Sequence, residues 1–447
     1  MDKINTMSYS PQLVYFLDRM SGFSTNIFKL MPSGSDSSGP NSITRITLPS
    51  NALLNTRSFK LHFLASTVAA SSVGGRLPAD ISTLIERVEI SAGGVQLSQG
   101  TNFYNTLVNA KTALMGSRCD SVTGHSELVR ANKFDGNVIA SGAGIDETYS
   151  GTGTPHVIDK WEGFLGTCEP KILDASILPD LVVSIYWASN SVLASCKQNT
   201  TNDLFTAKPD SNAEAAVYEI KHIHASIETI GLADSVYDNM VASMIASKSF
   251  IEIPFKQFFA FSNTHTGSSR FTVATQSLDR IWMAWRKSTY STLDAPHAIP
   301  GYSTAAGVAA NALTPAVLSD YGGAHGTGAV EKYITNYQKF TEPGAEGALK
   351  YQLQLKGAMY PQFNAGMEDM YQITKNSLPG PVKYGITKEQ LRDSYFVQCV
   401  RLNMPDSEMS RTLSGLDTRS VSLNGYINTT GTLTADANLM IFAECTS

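Results

Sequence analysis

Along much of the chain, apolar and polar residues alternate with a period of two. Phe59, Leu61 and Phe63 alternate with Lys60 and His62, and in an extended backbone that spacing sends one set of side chains to a core and the other to solvent. Tyr351, Leu353 and Leu355 alternate in the same way with Gln352, Gln354 and Lys356. Leu181, Val183, Ile185 and Trp187 alternate with Val182, Ser184 and Tyr186; both faces are largely apolar, so this strand is expected to be deeply buried. Arg87 to Ile90 and Val95 to Leu97 flank Ser-Ala-Gly-Gly, whose glycines allow the positive φ angles of a tight hairpin. Further strands are predicted at Phe250 to Phe255, at Phe271 to Val273, through Ile281, Met283 and Trp285, and at Tyr395 to Leu402 and Leu439 to Phe442.

Helical spacing is rare. Leu13, Phe16, Leu17 and Met20 form one stripe and predict a short amphipathic arm. Phe103, Leu107, Ala110 and Leu114 predict a second helix, Val236, Met240, Val241 and Met244 a third within 234–246, and Thr387 with Gln390 forms a capping box for a fourth. With so few helices between strands the sheets are expected to be antiparallel. PSGSDSSGP, residues 32–40, reads as a turn-rich spacer, and residues 116–165 and 296–345 read as long surface loops. The polar stretch 197–213 reads as a domain linker. The expected division is therefore an N-terminal arm over 1–30, one domain over 31–200 and another over 201–447. An internal echo supports duplication: Tyr104 to Asn109 and Tyr237 to Ala242 each follow a strand with an Ile-Glu pair, Ile85-Glu86 and Ile227-Glu228.

Length and composition sharpen this picture. The 447 residues are enough for two domains, and 16% charged residues is low for a soluble chain. Neutral surface on that scale is expected where protein meets protein. A net charge of −5 without any Lys/Arg block excludes an electrostatic footprint for nucleic acid, so no direct nucleic-acid binding is expected. No apolar run reaches signal-peptide or membrane-span length, and the expectation is a soluble protein. Cys119, Cys168, Cys196, Cys399 and Cys445 are scattered and odd in number, and are expected to be reduced, mostly buried thiols.

Three stretches carry a family resemblance. EPKILDASILPDLVVSI, Glu169 to Ile185, resembles the closing region of the first jelly roll in double jelly-roll major capsid proteins, those of polinton-like viruses and virophages among them. Ile230 to Phe258 resembles the opening of the second roll, and Arg270 to Ile281 a strand pair within it. The resemblance covers most of residues 40–445 and leaves the long loops unmatched. It implies an all-β fold of two tandem eight-stranded antiparallel jelly rolls, with short helices and long loops. It also implies a homotrimer in which the rolls make a pseudo-hexagonal capsomer of an icosahedral double-stranded DNA virus. The implied partners are the chain itself, neighbouring capsomers, penton and minor capsid or cementing proteins, and an internal membrane reached through the arm. The implied location is the virion, after assembly in the host cytoplasm or nucleus.

Catalytic readings are weaker. His222, His224 and Glu228 are spaced as HxHxxxE, similar to the metal motif of cupins. The apolar set Ile223, Ala225 and Ile227 claims the core, which turns the three ligands outward. Gly301-Tyr302-Ser303-Thr304-Ala305 lacks the second glycine of a nucleophile elbow, and Glu368-Asp369 are adjacent and point apart. Trp161, Trp187, Trp282 and Trp285 are expected to be core or trimer-contact anchors. No catalytic, cofactor-binding or metal residue is assigned and no cofactor is expected. A cupin-type metal-dependent enzyme and a carbohydrate-binding jelly roll are the alternatives.

Overall fold

The computed structural model describes residues 23–115, 154–198, 205–207, 217–232, 253–292, 297–298, 333–404 and 415–446, apart from short breaks within these ranges, together with positions 243 and 246. Four antiparallel sheets form two sandwiches.

The first sandwich contains β1 (Phe23–Leu30), β2 (Ile43–Thr47), β3 (Leu53–Asn55), β4 (Lys60–Val68), β5 (Val73–Arg76), β6 (Ile85–Ala92), β7 (Val95–Ser98), helix α1 (Tyr104–Met115), β8 (Thr154–Ile158), the short helix α2 (Phe164–Thr167), β9 (Ile172–Asp174), β10 (Leu181–Trp187), β11 (Ala194–Gln198), β12 (Phe205–Ala207) and β13 (Val217–Leu232). β13, sixteen residues long, is the spine of one sheet. β4 and β3 pair along one of its edges and β1 along the other, while β8 and β9 extend the sheet beyond β4 and β3. The facing sheet runs β2-β10-β6-β7, and β5, β11 and β12 form a small third sheet. Leu61, Phe63 and Ala65 of β4 meet Ile46, Val88, Val183 and Ile185 from across the sandwich in one core. Gly93 and Gly94, both at positive φ, make the predicted two-residue hairpin between β6 and β7. Thr44 occupies an inward position because its hydroxyl accepts the Trp187 indole N–H at 2.8 Å, which satisfies a buried donor.

The second sandwich contains β14 (Lys256–Thr264), β15 (Ser268–Val273), β16 (Ser277–Lys287), the two-residue pair β17 (His297–Ala298) and β18 (Tyr333–Ile334), β19 (Lys350–Leu355), β20 (Ala358–Ala365), helices α3 (Met367–Ser377) and α4 (Lys388–Ser394), β21 (Val397–Arg401), β22 (Leu423–Thr430) and β23 (Ala437–Thr446). Its sheets run β14-β23-β16-β21 and β15-β22-β19-β20. Trp285 and Tyr351, 5.7 Å apart and edge-to-face, join the two sheets. β21 is an edge strand, and α3 covers it: Cys399 N–H donates to Thr374 Oγ1 at 2.9 Å and Arg401 N–H to Ser377 Oγ at 3.1 Å. Donors that would attract another chain are thus satisfied internally. The Thr387–Gln390 capping box forms as predicted, both bonds at 3.2 Å.

Several expectations shift. β13 lies beyond the expected boundary at 200/201, yet it completes the first sandwich; of the polar stretch read as a linker, the described residues 197–198 and 205–207 belong to β11 and β12, which pair with each other. Ile253 and Phe255 still pack against the first core, and β14 opens the second sandwich at Lys256. The first sandwich has a six-stranded sheet against a four-stranded one, whereas the second is four against four. Residues 23–30, expected in the arm, are sheet strand. The ends of the expected loops also hold structure, since β8 pairs with β4 and β17 with β18. Of the strand expected at Phe250 to Phe255, residues 250–252 lie outside the described residues, 253–255 are irregular, and β14 follows from Lys256. The helical arm at Leu13 to Met20, Cys119 and nearly all of the helix expected over 234–246 lie outside the described residues.

α1 joins the two bodies. Tyr104 and Val108 pack in the first core, and Leu107, Ala110, Ala113 and Leu114 in the second. Lys111, 5% exposed, pairs with Glu162 at 2.7 Å and lies over the rings of Phe258 and Trp282 at 4.8 and 5.5 Å. Below it Arg280 pairs with Glu444 at 2.9 Å, and Trp282 donates to the same carboxylate at 3.0 Å. Burial pushes Glu444 up, but Lys111 and Arg280 outweigh it and hold the group below the usual carboxylate range. Tyr337, which packs in the first core, donates to Asn105 at 3.2 Å and Gln338 to Thr83 at 3.3 Å, so α1 and the turn before β6 are hydrogen-bonded to the segment between β18 and β19 as well. Lys111→Met should destabilise the protein by about 3–5 kcal/mol by leaving Glu162 without its ammonium. Lys111→Met with Glu162→Gln should recover part of that loss, as read by urea unfolding followed through tryptophan fluorescence.

Candidate functional site

The HxHxxxE stretch lies on β13. Ile223, Ala225 and Ile227 are fully buried, and His224 and Glu228 turn outward as alternation requires. His222 departs from the pattern. It sits at φ 54, in a bulge where pairing with β4 shifts between Lys221 and His224, and its Nδ1 is 3.4 Å from Asp36 Oδ2. Glu228 accepts from the Asn55 amide at 2.7 Å, and the Nδ1–H of His224 donates to the His222 carbonyl at 3.0 Å. The three side chains therefore serve three separate contacts and do not converge. Among the described residues no group of three His, Cys, Asp or Glu could hold a metal ion.

The other candidates have structural roles where they are described. Asp369 accepts the Gly366 N–H at 3.0 Å and starts α3, while Glu368 pairs with Lys388 at 2.9 Å. Every tryptophan is buried with its indole N–H satisfied inside the protein: Trp161 by Phe59 O, Trp187 by Thr44, Trp282 by Glu444 and Trp285 by Gln398. None offers a flat ring to a sugar. Cys168, Cys399 and Cys445 are buried thiols. Burial pushes Cys168 and Cys445 up to about 12 and Cys399 up as well, which leaves them unreactive near neutral pH. Ser303 and its flanking glycine lie outside the described residues.

What the surface does offer is apolar edges. Ile27 (72% exposed) and Phe28 lie on β1, Ile43 on β2, Val95 (67%) on β7, and Met359 and Phe363 (54%) on β20. β1 is a sheet edge; β2 and β7 are the two ends of their sheet, and β20 ends its own. β1 stands apart because Ser24 to Lys29 are exposed on both faces, so among the described residues only its pairing with β13 and the partly buried Leu30 hold it. An edge strand with exposed apolar side chains and an unpaired ladder is a site for joining another chain. The sequence gives no sign of this, since FSTNIFKL looks the same at the middle of a sheet as at its rim.

No protein-family model matches the chain, and no curated protein matches it by sequence. Solved structures do. The chain is similar to PBCV-1 VP54, in a structure fitted into a cryo-EM reconstruction of the virophage Sputnik, with 13% identity, 96% of this chain and 94% of that chain covered, and a TM-score of 0.50. It is also similar to the Faustovirus major capsid protein, at 10% identity, 100% and 92% coverage and a TM-score of 0.49, and to a chain of the PBCV-1 virus capsid, at 12%, 96% and 94%, and 0.47. At such identities it is the backbone architecture that is shared. The likeness to VP54 spans 96% of this chain, and the chain has the double jelly-roll fold.

Proposed function

We propose that this chain is the major capsid protein of an icosahedral double-stranded DNA virus and builds the shell as pseudo-hexagonal homotrimeric capsomers. The observation that carries this reading is the whole-length sharing of the double jelly-roll fold with PBCV-1 VP54, a protein fitted into the reconstruction of a virus. Two further features support it. The bodies share a buried helix that packs in both cores and is hydrogen-bonded to Tyr337, so one chain supplies two similar, fixed blocks; three copies then present six, and a three-fold ring approximates a hexagon. Six of the exposed large apolar residues, Ile27, Phe28, Ile43, Val95, Met359 and Phe363, lie on sheet edges, where a neighbouring copy can cover them and continue the ladder.

The mechanism is burial. A heterologous contact whose rotation closes after three copies leaves no free edge within the ring, and the same chemistry at its rim joins ring to ring. Low charge favours this, because desolvating neutral Ser, Thr, Asn and Gln costs less than desolvating ions. Contacts with penton, minor capsid or cementing proteins, and of the N-terminal arm with an internal membrane, belong to the same reading.

Purified protein should sediment as three chain masses and appear as hexagonal particles by negative-stain microscopy; a monodisperse monomer at micromolar concentration refutes the proposal. Ile27→Asp and Phe363→Asp place charge on exposed edges and should leave the fold intact by circular dichroism. At least one should weaken association about tenfold or more, measured by sedimentation equilibrium.

A further inference from the structure

The outward face of the β1–β13–β4 sheet gathers imidazoles at its weakest point. His62 on β4 and His224 on β13 are cross-strand partners. Their rings stack with centroids 4.9 Å apart and planes within 3°. Because a carbonyl only accepts, the 3.0 Å contact to His222 O puts the His224 proton on Nδ1, and His62 Nε2 lies 2.9 Å from Ser226 Oγ. Lys60 precedes His62 on its own strand, and Lys29 of β1 sits opposite Ser226. On the other side of β4, β8 sets Val157 against His62 and brings no charge. The nearby carboxylates are engaged elsewhere: Glu219 with Lys221 at 2.9 Å, Asp36 with His222 at 3.4 Å and Glu228 with Asn55. The charged groups that bear on the stack are therefore cations. It also adjoins the bulge at His222, where the β4 ladder is interrupted.

We propose that the His62–His224 stack is an acid-sensitive latch: with His62 neutral it closes β4 onto β13, and protonation of His62 sets a cation against the His224 ring beside Lys29 and Lys60, opening the β4–β13 ladder inside the first sandwich. Burial first, then His224, Lys60 and Lys29, lowers the pKa of His62 from the usual 6.5 to about 4. The unfolded chain thus binds a proton at this position before the folded chain does. The stability contributed here is intact above pH 6.5 and is lost as pH falls from 6.5 towards 4.

His265 is held at about 4 by burial as well, but it lies in the second sandwich between Ser269 and Thr429. A whole-protein melt would mix the two effects, and local hydrogen exchange separates them. Exchange at 60–64 and 222–226 is to be compared in wild type, H62Q and H224Q at about pH 7 and about pH 4.5. Wild type should lose about tenfold more protection in these segments on acidification than either variant. Equal losses in wild type and H62Q, or an acid opening confined to other segments, would overturn the proposal. If H62Q fails to fold, H224Q makes the same comparison, because it removes the stacked ring and keeps His62 with its Ser226 bond.

Discussion

A helix buried on nearly every side dictates how the two sandwiches meet. In α1 only Thr112 and Met115 escape burial, although the helix carries Asn105, Thr106, Asn109 and Lys111 among its apolar residues. Such a helix is stable only where its polar groups find partners in the dry interior. The two bodies supply them from opposite sides: Glu86 and Thr83 from the first, Glu162 beyond the break, and the rings and carboxylate of Phe258, Trp282 and Glu444 from the second. Pulling the bodies apart would strip Lys111 of most of this surrounding, so they are one rigid unit and not two beads on a string.

Rigidity at the seam has a counterpart at the periphery. Where a sheet edge meets the rest of its own chain it is closed, as β21 is by the hydroxyls of Thr374 and Ser377. Where an edge faces outward, as with β1, β2, β7 and β20, it keeps apolar residues exposed. For a protein that stays single such edges invite aggregation; for one that tiles a surface they are the means of assembly. The seam also gathers charge, with Lys111, Glu162, Arg280 and Glu444 buried together there.

The irregular point of the first sandwich falls on its longest strand. A non-glycine residue at positive φ costs about 1 kcal/mol or more, and His222 bears it where one extra residue must be taken up opposite β4. Next to this bulge the outward face carries stacked imidazoles and lysines. An acid-labile contact there acts on a ladder already interrupted, between β4 and β13.

Local chemistry was readable without coordinates: the Gly93-Gly94 hairpin, the Thr387–Gln390 cap, the Phe103–Leu114 helix, the alternation at Leu61 to Phe63 and Tyr351 to Leu355, and the outward turn of His224 and Glu228. Each depends on residues a few positions apart, and backbone geometry or side-chain period decides them. The resemblance at Glu169 to Ile185 and Ile230 to Phe258 supplied the two-roll architecture. Only the tertiary structure decided which body β13 joins, that Thr154 to Ile158 extends a sheet, that α1 is shared by both cores, that His62 stacks on His224, and which strands end as exposed edges. These are choices among partners far apart in sequence, and many pairings satisfy the same one-dimensional pattern until packing of the whole chain selects one.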